Sequence, residues 1–391
     1  MEDWEPGQSS QPYGCGEPLP AVAVEDLLEA MAVRGLGPTT LRRLLRHFGS
    51  WPRAREAGRQ ELAGLGLNRE TLRALREREA QYDPKEELKK AGDLGIRILP
   101  FSAPEFPAAL RDQDGLPLLL YVKGELLERD ALAIGLVGSR RASLYGRMHG
   151  EQLAFELAQA GFTVVSGLAQ GVDAAAHEGA LKGRGRTIAV LGCGLDRIYP
   201  PENRLLAERI AGSGALVSEL PLGSPPSATN FPPRNRIIAA LSLGIVVVEA
   251  ARNSGALITA RLAGEMGKEV FAVPGDIGRP QTRGPHRLIR DGAKLVETAD
   301  DIIEEFGPLA RPLRVREDDR PIPDPRALML NHVERQVYDL LDSTPKDIDA
   351  IKRESRLSAA NVASTLMVLE LKRLAVQLPG KLYVRAGSLQ R

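Results

Sequence analysis

TVVSGLAQGVDAAAHEGALKGRGRTIAVLGCG, residues 163–194, holds the pattern on which the fold turns. It opens on a short β-branched run, Thr163–Ser166, and passes through a loop of small residues into a helical stretch. It then returns to a second apolar run, Thr187–Gly192. Two short strands joined through a helix form a parallel βαβ unit, because only a parallel pair needs so long a crossover. The alternation spreads outward on both sides. Ala131–Val137 precedes it, and Ala215–Ser218, Ile245–Glu249, Val270–Val273 and Lys294–Val296 follow. Ile96–Leu99 and Leu118–Val122 extend the series toward the N-terminus. Their shorter, Pro-containing connections predict edge strands.

These runs predict an α/β fold with an extended Rossmann-like, doubly wound, mostly parallel sheet over residues 91–306. Residues 21–90 carry helical periodicity. Gly35-Leu36-Gly37 and Gly64-Leu65-Gly66 sit between apolar-periodic stretches, as in helix–hairpin–helix or SAM-like units. From Arg34 to Arg78 there are eleven Arg against four Glu. Two readings of this segment stand open: hairpin amides that hold phosphates without reading sequence, or a structural helical cap. Residues 1–20, rich in Gly, Pro, Gln and Ser, read as a disordered tail. Residues 307–327 hold Pro308, Pro312, Pro321, Pro323 and Pro325 among charges and read as a linker. Residues 328–391 read as a winged-helix domain. Its helices are expected at 331–341, 346–355 and 358–374, with Ser358 as an N-cap and a wing at Ala375–Arg385.

The 391 residues carry a formal net charge of +1, so any basic surface must be local. Cys15 and Cys193 make neither a disulfide framework nor a metal cluster, which fits a reducing compartment. The acidic start Met1-Glu2-Asp3-Trp4-Glu5 lacks the basic region of a secretory signal, and no apolar run approaches a membrane span. A cytoplasmic protein without membrane partner, cofactor or metal is the expectation.

In a doubly wound sheet, ligands sit beyond the carboxyl ends of the strands. The first such loop holds Gly138, Ser139, Arg140 and Arg141: a close backbone approach, a hydroxyl, helix-start amides and planar cations suited to phosphate. The alternative is an ordinary turn with solvated arginines. The second holds Ser166 and Gly167, then Asp173 and His177, which serve either the site or the helix cap and core. Cys193 in the third has no neighbouring base and reads as packing. The fourth, Phe231-Pro232-Pro233-Arg234-Asn235-Arg236, combines an aromatic with arginines and an amide, a set that stacks a base and holds its phosphate. A core Phe with acid-paired arginines is the competing reading. Ser254, Gly255 and Thr259 open another helix, and Gly284-Pro285-His286 a further one.

Together these segments resemble the DNA-processing protein A (DprA/Smf) family. The match runs in order through VGSR at 137–140, SGLAQGVDAAAHEGAL at 166–181, TIAVLGCGLDRIYPPEN at 187–203 and SELPLG at 218–223. It continues with FPPRNRIIAALS at 231–242, VVVEAARNSGALITA at 246–260, VFAVPGDI at 270–277 and GPHRLIRDGA at 284–293. The resemblance implies a non-enzymatic protein that binds incoming single-stranded DNA and protects it. It also implies help in displacing single-strand binding protein, loading of the recombinase RecA during natural transformation, and a homodimer formed through the Rossmann-like domain. The family's Gly-x-Arg arginine falls on Arg140, its FPxRN motif on Phe231, Arg234, Asn235 and Arg236, and its small-residue loops on Ser166, Gly167, Ser254 and Gly255. Where many relatives carry basic residues, this chain has Pro201 and Pro233. The expected DNA-binding set is Gly138, Ser139, Arg140, Ser166, Gly167, Phe231, Arg234, Asn235, Arg236, Ser254, Gly255 and Thr259.

Two other classes compete. A Rossmann-like nucleotide hydrolase would use Glu249 as an acid, yet the Pro-Gly-Gly-x-Gly-Thr signature is absent. Gly192-x-Gly194 lacks the third glycine of a dinucleotide fingerprint. A winged-helix regulator would need basic or amide side chains early in its third helix, where only Asn361 qualifies; Lys372 and Arg373 sit at its far end.

Overall fold

The computed structural model describes residues 19–111, 113–310, 330, 332–341, 346–355, 357–371, 374–378 and 382–385. Cys15, Lys372, Arg373 and most of the predicted tail and linker lie outside the described residues. The chain divides into two compact units, Met1–Val315 and Arg316–Arg391.

The first unit is built on nine strands: β1 (Arg97–Pro100), β2 (Leu119–Gly124), β3 (Ala133–Val137), β4 (Thr163–Ser166), β5 (Thr187–Val190), β6 (Ala215–Ser218), β7 (Gly244–Val247), β8 (Glu269–Ala272) and β9 (Lys294–Leu295). Their spatial order is β1-β2-β6-β5-β4-β3-β7-β8-β9. From β6 to β9 every pairing is parallel, whereas β1 and β2 join antiparallel. The predicted strands are all present. β2 departs from the expected edge position: it is hydrogen-bonded on both sides, to β1 and to β6, so only β1 is an edge. Leu119, Leu120, Tyr121 and Val122 are all buried, which fits a strand covered on both faces.

Alternation along the strands separates two cores. Ile134 and Leu136 of β3, Val164 of β4 and Val246 of β7 pack with Leu153, Leu157, Val172 and Ala176 of helices Leu144–Gln159 and Val172–Lys182. The intervening Val137, Val165, Ile245 and Val247 pack with Ile237, Ile238, Ala256 and Ala260 of helices Phe231–Leu241 and Gly255–Glu265. Successive side chains of a strand point to opposite faces, so the helices lie on opposite sides of the sheet.

The helical segment before β1 shares the second of these cores. Leu27, Leu28, Leu44 and Trp51 are fully buried in the same cluster as Leu118 and Leu120. Arg42, also fully buried, donates to the carbonyls of Arg111 (2.6 Å) and Leu110 (3.2 Å). This segment thus belongs to one compact unit with the sheet. Both predicted Gly-Leu-Gly turns carry a glycine at positive φ, Gly35 and Gly66.

In the second unit, helices His332–Leu340, Ile348–Ser355 and Ala359–Leu371 accompany a small sheet. Its strands are β10 (Lys346–Asp347), β11 (Ala375–Leu378) and β12 (Leu382–Arg385), in the order β10-β12-β11. Ser358 Oγ accepts from the Asn361 amide at 3.2 Å, as an N-cap should. Among the described residues no helix is long and apolar enough to cross a membrane.

Candidate nucleic-acid interface

The strand order reverses between β3 and β7, whose following helices leave on opposite faces of the sheet. Such a switch point opens a crevice at the carboxyl edge. A cleft of ≈ 500 Å³ lies there, lined by Gly138, Ser139, Arg140, Phe231, Arg234 and Gly255 among others. A smaller pocket of ≈ 150 Å³ adjoins it, lined by Gly167, Gln170, Tyr199 and Glu202. Arg140, Phe231 and Arg234 line both.

The loop after β3 is held from three sides. The Val172 amide donates to the Ser139 carbonyl at 3.2 Å, and the Arg141 amide donates to Ser139 Oγ at 3.1 Å. Gly171, at φ +83°, makes that contact possible, since a Cβ there would run into the Ser139 carbonyl. Ser143 caps the helix Leu144–Gln159 by accepting from Gly146 N at 3.1 Å. It also donates its hydroxyl (2.6 Å) and amide (2.9 Å) to the two oxygens of Glu249. Glu249 is fully buried, so it braces the β3 loop against the β7 loop across the switch point. With both oxygens engaged, it is not placed as an acid catalyst.

Arg140 is exposed, with its guanidinium carbon 4.6 Å from the centre of the Phe231 ring. Phe231 itself is half-buried and rests on Gly192, where a Cβ would meet the ring at 3.0 Å. The aromatic is thus packed on the backbone at Gly192 and also carries the arginine.

Several predicted contact residues do another job. Ser166 is fully buried and donates its hydroxyl to the Leu136 carbonyl, so its side chain does not reach the cleft. Arg236 is paired with Glu219, a pair largely shielded from solvent, and its charge is neutralised there. Thr259 lines the cleft but is buried, with its hydroxyl directed to the Gly255 carbonyl at 3.4 Å. Asn235 lines the cleft while its Nδ2 donates to the Gly255 carbonyl (3.3 Å) and its Oδ1 accepts from Arg234 Nε (3.2 Å).

Arg234 is the least expected. It is 5 % exposed and donates through Nη1 to the carbonyls of Gly167 (2.7 Å) and Val190, at the ends of β4 and β5. Burial pushes its pKa down to about 10, opposed by the nearby Asp173 carboxylate. Burial also raises the Asp173 carboxyl, with Arg234 the strongest opposing influence. Gly138, Ser139, Gly167, Ser254 and Gly255 supply close backbone walls, and Ser254 caps its helix by accepting from Ala256 N at 3.3 Å.

Among the described residues at this edge, Arg140, Arg141 and Arg252 are exposed and have no carboxylate partner, and the same holds of Arg197 and Arg204 beyond β5. Arg252 and Tyr199 were not among the expected contacts. Their signal is position alone, since each lies in a segment that follows a strand end, Arg252 after β7 and Tyr199 after β5. The remaining reactive side chains are packed away. His177 is fully buried, its Nδ1 2.6 Å from Thr187 Oγ1, and burial lowers its pKa to about 3. The Cys193 thiol donates to the Arg197 carbonyl and is pushed up to about 11 by burial. No group that would hold a metal ion occurs among the described residues.

Residues 97–307 match the family model of DNA recombination-mediator protein A, and residues 321–381 match the DprA winged helix domain. Protein Smf of Synechocystis is 33 % identical over 387 residues, covering 90 % of this chain and 96 % of that one. Protein Smf of Escherichia coli is 42 % identical over 291 residues, covering 74 % and 77 %. The crystal structure of DNA processing protein A from Streptococcus pneumoniae superposes with a TM-score of 0.64 at 34 % identity, covering 73 % of this chain and 98 % of that one.

Proposed function

The chain belongs to the DNA recombination-mediator protein A (DprA/Smf) family, and on that premise we propose that it binds single-stranded DNA in the switch-point crevice and catalyses no reaction. The observation that carries the reading is the Arg140–Phe231 pair, a free fork cation over an aromatic platform at the mouth of a cleft walled by glycines and helix-start amides. Arg141 and Arg252 extend the positive rim, so phosphates are attracted along the edge of the sheet while unpaired bases reach the aromatic. Duplex bases are already stacked and paired, which denies them that platform.

The family premise extends the reading to a cytoplasmic homodimer that protects incoming strands, helps displace single-strand binding protein and loads RecA during transformation. The buried, doubly engaged Glu249 speaks against hydrolysis. The helix Ala359–Leu371 speaks against groove reading, because its exposed early positions are Ala359, Ala360, Asn361 and Ala363. A titration of fluorescent oligothymidine at several salt concentrations tests the proposal. Affinity should fall steeply with salt as counterions are released. Absence of binding at low salt would overturn it.

A further inference from the structure

Between Arg279 and Lys294 five Lys or Arg stand against one acid, Asp291, in a chain whose formal net charge is +1. The segment holds the helix Arg283–Arg290, which connects β8 to β9. Those two strands are parallel, so the helix runs from the carboxyl edge of the sheet back along its outer flank. Gly284 and Pro285 are buried, and Leu288 packs against the core shared with the helical segment. Arg283, Arg287 and Arg290, at i, i+4 and i+7, are exposed together on the opposite face. They span about 10 Å along the helix axis.

This stripe begins at the crevice. The Gly284 amide donates to the Ala250 carbonyl at 2.8 Å, and the Ala250 amide donates to the Gln281 carbonyl at 2.7 Å. The start of the helix is thereby stitched to the loop after β7. A Cβ on Gly284 would collide with the Ala250 carbonyl, so the two backbones touch. Arg283 precedes that stitch directly, and Arg252 follows it on the other segment. Among the described residues neither Arg283 nor Arg290 has a carboxylate partner. Arg290 donates Nε to the His286 carbonyl of its own helix at 3.3 Å, which leaves its fork open. Arg287–Asp291 (3.4 Å) and Arg279–Asp276 (3.7 Å) are exposed pairs, which contribute little and yield to a phosphate. The helix carries no Phe, Tyr or Trp, and His286 is turned to the Gly275 carbonyl at 3.0 Å. The stripe therefore offers charge without a stacking platform.

We propose that this stripe is a phosphate track that takes the strand out of the crevice. Phosphates that clear Arg252 pass onto Arg283 and follow the helix through Arg287 to Arg290, with their bases turned to solvent. The track tightens the binding of longer strands without regard to sequence, and it fixes which end of the strand leaves over β8. A free arginine fork takes a phosphate through paired N–H donors, and counterion release supplies affinity. The junction with the crevice favours a continuous polyanion over a separate acidic protein. This assignment rests on the single-strand reading of the crevice.

The shortest oligothymidine that binds, alone and with a short abasic tail on its 5′ or its 3′ end, separates the track from the crevice. Abasic residues add phosphates but no bases. One of the two tails should tighten wild-type binding about fivefold or more at low salt. It should also steepen the salt dependence by about 1.4, at roughly 0.7 for each of two phosphates. Arg283→Gln combined with Arg290→Gln, both at exposed side chains, should erase that tail's gain and its added slope. The same variant should bind the untailed oligothymidine as the wild type does. No gain from either tail, an equal gain in the variant, or an equal loss with and without tails would each overturn the track. A variant that sediments as a different oligomer would assign the stripe to a contact between proteins and overturn it as well. If the single-strand reading itself is wrong, the untailed oligothymidine does not bind at all, so the two failures are distinguishable.

Discussion

The guanidinium of Arg140 stands 4.6 Å above the ring of Phe231, so an exposed cation of the crevice and its aromatic form one unit. In the free protein the arginine covers the face on which a base would stack. On the proposed reading, a base that stacks on this face displaces the guanidinium, so the two residues should not act independently.

A double-mutant cycle reads this dependence. Arg140→Ala should weaken single-strand binding by roughly 1.5–3 kcal/mol, the range of a charge-assisted hydrogen bond. Phe231→Ala should cost about 1–3 kcal/mol, as expected of one stacked base. The double variant should lose clearly less than the sum, because residues in contact are not additive. Strict additivity would place the two at separate points along the strand.

Arg252 and Arg236 should part company. Arg252→Ala should lower affinity and reduce the salt slope by about one phosphate contact. Arg236→Gln should leave the slope unchanged and lower stability instead, since it strips the partner from the shielded Glu219 carboxylate. An unchanged melting temperature with a reduced slope for Arg236→Gln would return that arginine to the DNA surface.

These two arginines also show what the sequence discloses. The βαβ alternation, the winged-helix elements and the loops of the crevice are legible because each rests on local periodicity and turn chemistry. What Arg234, Arg236 and Ser166 do is not, since each is decided by a partner distant in sequence: Gly167 and Val190, Glu219, and Leu136. A motif marks where arginines gather but not which of them are spent on the fold. β2 illustrates the same limit, because its place inside the sheet depends on pairing with β6, far along the chain.

Glu249→Gln should lower stability by roughly 1–3 kcal/mol in urea unfolding, because an amide cannot accept both Ser143 donors and leaves one unsatisfied. The wild type should show no turnover of nucleotides or DNA. Turnover abolished by this substitution would convert the brace into a catalytic acid.

Acid should destabilise the first unit through His177. Its folded pKa of about 3 lies below the ordinary 6.5, so the unfolded chain takes up the proton first. The stability it contributes is complete above about pH 6.5 and lost progressively toward pH 3. From pH 7 to 5 the loss should be about 2 kcal/mol. The raised carboxyls of Asp173 and Glu219 act in the opposite sense, since the folded chain takes up those protons first as pH falls toward their ordinary values. Comparison with His177→Gln isolates the imidazole: the variant should lack this slope. Identical pH profiles would show that the imidazole is protonated as readily folded as unfolded.

If single-stranded DNA occupies the switch-point crevice, hydrogen exchange with and without oligothymidine will register it amide by amide. Bound strand should slow exchange of amides in 138–143, 167–172, 231–236 and 252–257, and leave the helix Ala359–Leu371 and the turns at Gly35 and Gly66 unchanged. Protection confined to that helix or to those turns, with the crevice amides exchanging as before, would place the strand outside the crevice.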